Sequence, residues 1–237
     1  MYHIEELAKM IDHSILHPTH TDEDMEKQCN VAKKFNVASV CVKPYAVRQA
    51  KQLLKGTGIN VGCVIGFPHG NSCTAVKVAE TEQACNDGAT EIDMVINIGK
   101  ALGGDWEYVE KEIRAITDTC HNNHAIVKVI FETGYITRTE DKIMLCGICT
   151  RAGADFVKTS TGYGFVKQPD GSFNYQGATV ADVELMRKHS GPGVQVKAAG
   201  GVRNLDDLLK MKAAGATRIG ATATTAILEE ATRRFGK

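Results

Sequence analysis

Two lysines in short apolar segments are the residues whose chemistry stands out in this sequence. Lys158 ends the run Phe156–Lys158, just before a cluster of small hydroxyl residues and glycines, and Lys197 lies within Val194–Ala198. A lysine at a strand end can snorkel into water, so Lys158 taken alone does not indicate a site. A buried lysine that loses its proton, however, becomes a nucleophile able to form a Schiff base with a carbonyl compound.

The positions of these two lysines strengthen the second interpretation. Lys158 and Lys197 fall on consecutive predicted strands, the sixth and the seventh, which lie side by side in a parallel barrel. Two ammonium groups on neighbouring strands repel each other, and burial disfavours the charged form further. Both effects lower the pKa of a lysine, so we expect a neutral amine at physiological pH.

Further charged residues occur in the same kind of apolar segment. Asp93 lies within Glu91–Ile96 and Asp12 on the first strand, while Lys128 and Glu132 are expected to share one face of the fifth strand. Alternation along a strand allows all of them to point into one interior. So many charged residues in one barrel are rarely buried without pairing or function, which favours a catalytic network over a single structural ion pair.

Glycines after the last two predicted strands indicate an anion site. Ala199–Arg203 follows the seventh strand and Gly220–Thr222 follows the eighth, and each segment opens a helix. Backbone N–H groups at helix N-termini attract anions, and glycine allows a phosphate to approach closely. A lone Gly-Gly pair is often an ordinary turn, but two consecutive loops with an arginine predict a phosphate cradle, which Gly162 and Gly164 could extend.

These residues are placed by eight predicted strand–helix units in a single domain, residues 1–237, which favours a (β/α)8 TIM barrel. The predicted strands are Ile11–Leu16, Ala38–Val42, Asn60–Phe67, Glu91–Ile96, Ala125–Phe131, Asp155–Lys158, Val194–Ala198 and Thr217–Gly220. The predicted helices are Thr21–Phe35, Pro44–Leu54, Ser72–Asn86, Asp105–His121, Thr139–Arg151, Thr179–His189, Asn204–Ala214 and Thr222–Phe235, with a polar loop at Lys167–Gln176. The alternative is a doubly wound sheet, which would place a glycine-rich turn after the first strand. The sequence there has no glycine.

Nearly the whole chain resembles the deoxyribose-phosphate aldolases, a family of class I aldolases with a TIM-barrel fold. The matching segments are Ile11–His13, Val64–Pro68, Glu91–Val95, Lys128–Thr133, Phe156–Gly162 and Val196–Arg203. The resemblance implies cleavage of 2-deoxy-D-ribose 5-phosphate to D-glyceraldehyde 3-phosphate and acetaldehyde, with no metal and no organic cofactor.

The resemblance also implies roles for individual residues. Lys158 would form the Schiff base, Lys197 would perturb its pKa and assist proton transfer, and Asp93 would act as acid and base through a water. Tyr163 would contact the substrate or its phosphate, and Thr159 would belong to a hydroxyl-lined wall beside the imine. The residues implied around the phosphate are Gly162, Gly200, Gly201, Arg203, Gly220 and Thr222.

Composition limits the other possibilities. Lys+Arg and Asp+Glu are both 28 in 237 residues, and this balance argues against nucleic-acid binding, which needs a basic surface. The first 20 residues show no signal-peptide pattern and no run of 18 apolar residues predicts a membrane span. The 8 cysteines fit free thiols in a reducing cytoplasm. The family resemblance suggests a homo-oligomer, a dimer or a tetramer.

Several alternatives remain open. His17, Tyr163 and Ala223 depart from common family patterns, so a related lysine-dependent aldolase for another sugar phosphate is one alternative. A metal-dependent aldolase that uses His13, His17 and His20 is a second alternative, although no complete ligand set accompanies these histidines. A non-catalytic phosphosugar-binding barrel is a third. Cys146 and Cys149 match a redox spacing but lie inside a predicted helix, which favours core packing.

Overall fold

Successive strand–helix units build one closed parallel barrel. The computed structural model describes residues 2–236. The strands in chain order are β1 (Ile11–Ile15), β2 (Ser39–Val42), β3 (Asn60–Ile65), β4 (Glu91–Val95), β5 (Ile126–Ile130), β6 (Phe156–Lys158), β7 (Phe165–Lys167), β8 (Phe173–Tyr175), β9 (Gln195–Ala199) and β10 (Arg218–Ala221). The barrel runs β1-β2-β3-β4-β5-β6-β9-β10, and β10 pairs with β1 to close it. The predicted (β/α)8 barrel is confirmed, and the doubly wound alternative is wrong.

Helices connect the strands and surround the barrel. They are α1 (Ile4–Ala8), α2 (Asp22–Phe35), α3 (Val47–Leu53), α4 (Thr74–Asn86), α5 (Ile98–Leu102), α6 (Trp106–Asn122), α7 (Thr139–Ala152), α8 (Val180–His189), α9 (Leu205–Ala213) and α10 (Thr224–Phe235), with a 3-10 turn at Pro44–Ala46. Side chains that accept an N–H of the first turn begin several of them, including Thr21, Asp105, Thr179 and Asn204, as N-caps do. Between residues 2 and 236, no helix is long and apolar enough to cross a membrane.

The barrel strands are buried on both faces, which explains their short apolar sequences. Every residue of β2, β4 and β6 is buried. Val and Ile side chains of the strands pack with the apolar faces of the helices in one large core. The charged residues of β4 and β6 are therefore held inside the protein and must find their partners there.

The segment predicted as a polar loop at Lys167–Gln176 is instead part of an antiparallel hairpin, formed by β7 and β8. Each strand has three residues, too few for alternation to be recognised in the sequence. Pro169-Asp170-Gly171 forms the turn, and Gly171 has φ 85°, a conformation that glycine adopts without steric cost. The hairpin lies between β6 and α8, after the strand that carries Lys158.

Candidate active site

Asp93 connects three lysines in the barrel interior. Its Oδ2 accepts hydrogen bonds from Lys158 Nζ at 2.6 Å and Lys197 Nζ at 2.7 Å, and its Oδ1 accepts one from Lys128 Nζ at 2.8 Å. All four residues are buried. In the strand register Lys158 is the partner of Lys197, and Lys128 is the partner of Asp93. The structure thus brings together the residues predicted to be catalytic.

A second set of ion pairs lies beside this centre. Lys197 Nζ is 2.6 Å from Asp12 Oδ2, and Lys128 Nζ is 2.6 Å from Glu91 Oε2. Arg218 contacts both carboxylates, at 2.5 Å from Asp12 and 2.9 Å from Glu91. Glu91 and Arg218 are not among the site residues predicted from the sequence. Glu91 lies two residues before Asp93 and so shares its strand face, and Arg218 is a charge at the start of an apolar strand. The first pattern could have identified Glu91, whereas a charge at a strand start does not by itself indicate that Arg218 is buried.

The cluster carries more basic groups than acidic ones. It contains the three carboxylates Asp12, Glu91 and Asp93 and the four basic side chains Lys128, Lys158, Lys197 and Arg218. With every group ionised, one positive charge is in excess. Lys158 pairs with a single carboxylate, whereas Lys128 and Lys197 each contact more than one. Loss of a proton from Lys158 would therefore leave a balanced cluster.

The pKa shifts follow these contacts. Burial lowers the pKa of Lys158, and although Asp93 opposes this, repulsion from Lys197 adds to it, so the pKa stays below its ordinary value. Burial also disfavours charged Lys197, but Asp12 and Asp93 outweigh it and raise the pKa. Burial alone would raise the pKa of Asp93, yet the three lysines hold it well below its usual range. Of the two lysines, Lys158 is therefore the one that loses its proton more readily, while the charged forms of Lys197 and Asp93 are favoured.

Glu132 does not share a face of β5 with Lys128, and that expectation is wrong. β5 ends at Ile130, and Glu132 adopts φ 57°, a left-handed conformation in which the strand alternation no longer applies. Its carboxylate instead accepts hydrogen bonds from the N–H and the hydroxyl of Thr161. Glu132 therefore anchors the segment that follows Lys158, and burial is the main reason that its pKa is raised.

The hydroxyl groups after Lys158 have different environments. Thr159 Oγ1 donates to the Ala199 carbonyl and accepts from the Ala199 N–H, both at 3.1 Å. It therefore joins the ends of β6 and β9, the two strands that carry Lys158 and Lys197. Ser160 Oγ is buried with no hydrogen-bond partner among residues 2–236.

The glycines predicted around a phosphate lie at the carboxyl ends of β6, β9 and β10. Gly162, Gly200 and Gly201 have φ of 94°, 89° and 80°, a region that other residues rarely adopt. A Cβ on Gly220 would lie 3.0 Å from Ala199 Cβ and 3.4 Å from Lys197 Cε. Gly220 is therefore needed for the close packing of β10 against the strand that carries Lys197.

The two remaining predicted phosphate contacts, Arg203 and Thr222, are exposed. The Arg203 side chain forms no ion pair within the part of the chain that the structure describes, 2–236. Thr222 lies in the short segment between β10 and α10, whose first residue is Thr224 and not Thr222 as predicted. Both side chains are thus available at the ends of β9 and β10.

Tyr163 lies on an apolar cavity of about 250 Å³ beside the strand ends. Its ring meets Phe67 edge-on, with centroids 5.5 Å apart. Residues from the ends of β1, β2 and β3 complete the walls, with Lys43 and Glu80 as the charged members; the lining residues include Leu16, Pro18, Pro44, Val64 and Pro68. The Tyr163 ring therefore forms part of the cavity wall.

Two of the three histidines considered as metal ligands have protein partners, and the two cysteines with a redox spacing are buried. His13 bonds to Thr224 Oγ1 at 2.7 Å and to Gln28 Oε1 at 2.9 Å, and His17 bonds to Thr19. Over residues 2–236, no group of three or more His, Cys, Asp or Glu side chains is arranged to hold a metal ion. Cys146 and Cys149 are buried in α7, and burial raises the pKa of Cys146 to about 11, which argues for core packing.

A parallel barrel with a buried lysine of lowered pKa at the carboxyl ends of its strands is typical of class I aldolases. Residues 7–229 match the model of the DeoC/LacD family aldolases. The chain belongs to this family and is an aldolase, and the resemblance identified in the sequence is confirmed.

Curated relatives agree with this assignment over nearly the whole chain. The deoxyribose-phosphate aldolase of Rhodopirellula baltica is 47% identical over 99% of this chain and 93% of its own. That of Aciduliprofundum boonei is 46% identical, over 94% of this chain and 96% of its own. Among solved structures, a putative deoxyribose-phosphate aldolase from Coccidioides immitis is 37% identical with a TM-score of 0.88, covering 97% and 87% of the two chains. The tetrameric enzyme from Aeropyrum pernix is 29% identical with a TM-score of 0.86, covering 98% and 93%.

Proposed function

We propose that this chain cleaves 2-deoxy-D-ribose 5-phosphate reversibly to D-glyceraldehyde 3-phosphate and acetaldehyde, through a Schiff base on Lys158. The observation that carries the proposal is the buried Lys158 amine, which has a lowered pKa and a 2.6 Å hydrogen bond to Asp93. The names of the curated relatives, deoxyribose-phosphate aldolases, support this choice of substrate.

The first half of the reaction forms an electron sink. Neutral Lys158 attacks the C1 aldehyde of the open-chain sugar, and loss of water from the carbinolamine gives an iminium ion. Asp93 Oδ2 accepts hydrogen bonds from both amines, from Lys158 Nζ at 2.6 Å and from Lys197 Nζ at 2.7 Å. A charged Lys197 can donate to the departing hydroxyl directly or through water, and Asp93 fixes the position of both amines.

The second half breaks the carbon–carbon bond. A base removes the C3 hydroxyl proton, the C2–C3 electron pair moves into the iminium, and glyceraldehyde 3-phosphate leaves. The resulting enamine takes a proton at C2, and hydrolysis of the imine returns free Lys158 and acetaldehyde. Asp93 is assigned the acid–base steps through a water. The positive charge of Lys197 repels the iminium beside it, so the iminium is not over-stabilised and remains an electron sink.

The phosphate end of the substrate is assigned to the glycine loops. Gly162, Gly200 and Gly201 offer backbone N–H groups without side chains, and Arg203 supplies a positive charge. Gly220 and Thr222 complete the set. The apolar cavity beside Tyr163 is lined mainly by residues at or after the ends of β1, β2 and β3, and none of the glycines assigned to the phosphate lines it.

Three broader assignments belong to the same proposal. We infer a single aldolase domain, residues 1–237, acting in the cytoplasm on a small phosphosugar, with no nucleic-acid partner and with no metal or organic cofactor in the reaction. We also infer a homo-oligomer, dimer or tetramer. The name of the Aeropyrum pernix relative describes a tetramer, which supports an oligomer of this chain.

Borohydride trapping tests the proposal. Acetaldehyde with borohydride should add an ethyl group to Lys158, located by peptide mass mapping, and Lys158→Met should prevent the addition at that site. Lys34→Met, which changes an exposed lysine paired with Glu229, serves as the matched control and should react as the unaltered chain does. Modification distributed over surface lysines, with none at Lys158, would overturn the proposal.

A further inference from the structure

We propose that Tyr175, on the β7–β8 hairpin, is a specificity-determining residue whose hydroxyl donates a hydrogen bond to the phosphate of the substrate. The inference rests on the proposed function and adds to it a residue outside the βα-barrel strands and the glycine loops. It assigns the hairpin to recognition of the phosphorylated end of the sugar.

The Tyr175 hydroxyl lies between two glycines of the phosphate cradle. A Cβ on Gly200 would be 1.8 Å from Tyr175 Oη, so the oxygen rests directly against the bare Cα of that glycine. A Cβ on Gly162 would be 3.9 Å from the same oxygen. These glycines follow β9 and β6, so one phenol group spans the gap between the two loops.

This hydroxyl has no acceptor among the residues that the structure describes. Tyr175 Oη is buried and makes no hydrogen bond to any of residues 2–236, although buried tyrosine hydroxyl groups normally find a partner. Burial and the nearby Glu132 raise the pKa of Tyr175, while Arg203 opposes this, so the phenol remains a donor. A donor that is unsatisfied beside an arginine fits an anionic acceptor, and a phosphate oxygen at the glycine loops would provide one.

The hairpin is attached so that Tyr175 stays at this position. The Ala178 N–H donates to the Gly200 carbonyl at 3.0 Å, and a Cβ on Gly177 would lie 2.2 Å from that carbonyl oxygen. On the other strand, Tyr135 Oη donates to the Phe165 carbonyl at 3.0 Å. Both strands of the hairpin are therefore tied to the barrel.

Tyr175→Phe tests the inference, because it removes the donor and keeps the ring. For 2-deoxyribose 5-phosphate we expect KM to rise by about tenfold, the effect of losing one hydrogen bond to a charged acceptor. For unphosphorylated 2-deoxyribose, kcat/KM should stay within about twofold of the starting enzyme. Tyr108→Phe makes the same chemical change on α6, where its hydroxyl bonds to Thr74, and should alter neither value.

Direct binding of inorganic phosphate provides a second measurement, independent of turnover. Calorimetry should show weaker phosphate binding to the Tyr175→Phe variant than to the Tyr108→Phe variant. Equal binding, or an equal loss of activity with both sugars, would overturn the role of Tyr175. If the unaltered chain cleaves neither sugar, the proposed function fails, while the phosphate measurement still decides whether Tyr175 contributes to an anion site.

Discussion

Lys158 and Lys197 are register partners on β6 and β9, and both donate to the same oxygen of Asp93. Only Lys197 has a second carboxylate, Asp12, within 2.6 Å. Because the two lysines share one anion and repel each other, the proton is lost more readily from Lys158. The two lysines are equivalent in the strand register but differ in their tendency to lose a proton, and the difference comes from Asp12 on β1.

This asymmetry predicts opposite pH shifts in two variants. Only neutral Lys158 can form the adduct, so trapping with acetaldehyde and borohydride should increase as pH rises through the pKa of Lys158. Lys197→Met removes a repelling charge, and the midpoint should move to higher pH. Asp93→Asn removes an attracting charge, and the midpoint should move to lower pH. Shifts in the same direction for both variants would contradict the charge arrangement.

Arg218 should be needed for stability, although it does not contact Lys158. Its guanidinium lies 2.5 Å from Asp12 and 2.9 Å from Glu91, and removing one partner of a buried ion pair costs about 3–5 kcal/mol. Arg218→Met should lower the free energy of unfolding in urea by that amount. Arg233→Met, at an exposed position of α10, should change it by no more than about 0.5 kcal/mol. Equal effects from both variants would show that the buried contacts contribute nothing.

We expect the Glu132–Thr161 contact to stabilise the protein because Glu132 supplies an acceptor oxygen, and not because Glu132 is charged. Glu132→Ala leaves the Thr161 N–H without its partner, which should cost about 1–3 kcal/mol of folding free energy and lower kcat. Glu132→Gln keeps a carbonyl acceptor and should recover most of both values. Unfolding curves and kcat measured together would check this. A Gln variant as impaired as the Ala variant would indicate that the negative charge itself is needed.

A buried ion pair outside the barrel interior, between α4 and α6, provides a test of how such pairs stabilise this fold. Lys77 Nζ is 3.0 Å from Glu112 Oε1 and donates to the Val95 carbonyl, and Glu112 accepts from the Asn97 N–H. Lys77→Met alone should destabilise the protein by about 3–5 kcal/mol, because it leaves a carboxylate buried without a partner. Adding Glu112→Gln should restore most of the loss. Additive losses in the double variant would contradict this explanation.

Gly177 should be required for the position of the hairpin. Its missing Cβ would lie 2.2 Å from the Gly200 carbonyl oxygen, so Gly177→Ala must displace backbone next to the phosphate loop. KM for the phosphorylated sugar should rise with little change for 2-deoxyribose. Gly193→Ala is the matched control, because nothing lies within 4 Å of a Cβ there. The prediction fails if both variants keep the KM of the starting enzyme.

Strand alternation and element counting were sufficient to predict the barrel and to bring Asp93, Lys158 and Lys197 together. The roles assigned to these residues remain predictions. Alternation failed at Glu132, where a left-handed residue redirects the side chain, because nothing in the sequence specifies that dihedral. It also missed Arg218, since a charge at a strand start is as often solvated as buried. The position of Tyr175 depends on a hairpin of three-residue strands, which lies below the length at which a period can be recognised.

The barrel closes by pairing its first strand with its last, and this has a consequence for folding. Asp12 on β1 meets Arg218 on β10 across a separation of 206 positions, so an intermediate without β10 would leave Asp12 and Glu91 in the barrel interior without the guanidinium that contacts both of them. Such a partly closed barrel is poorly stabilised. Contacts this distant in sequence form slowly, and we expect the final closure to be cooperative. The amine of Lys158 would then acquire its reactivity only when the C-terminal part of the chain has joined the barrel.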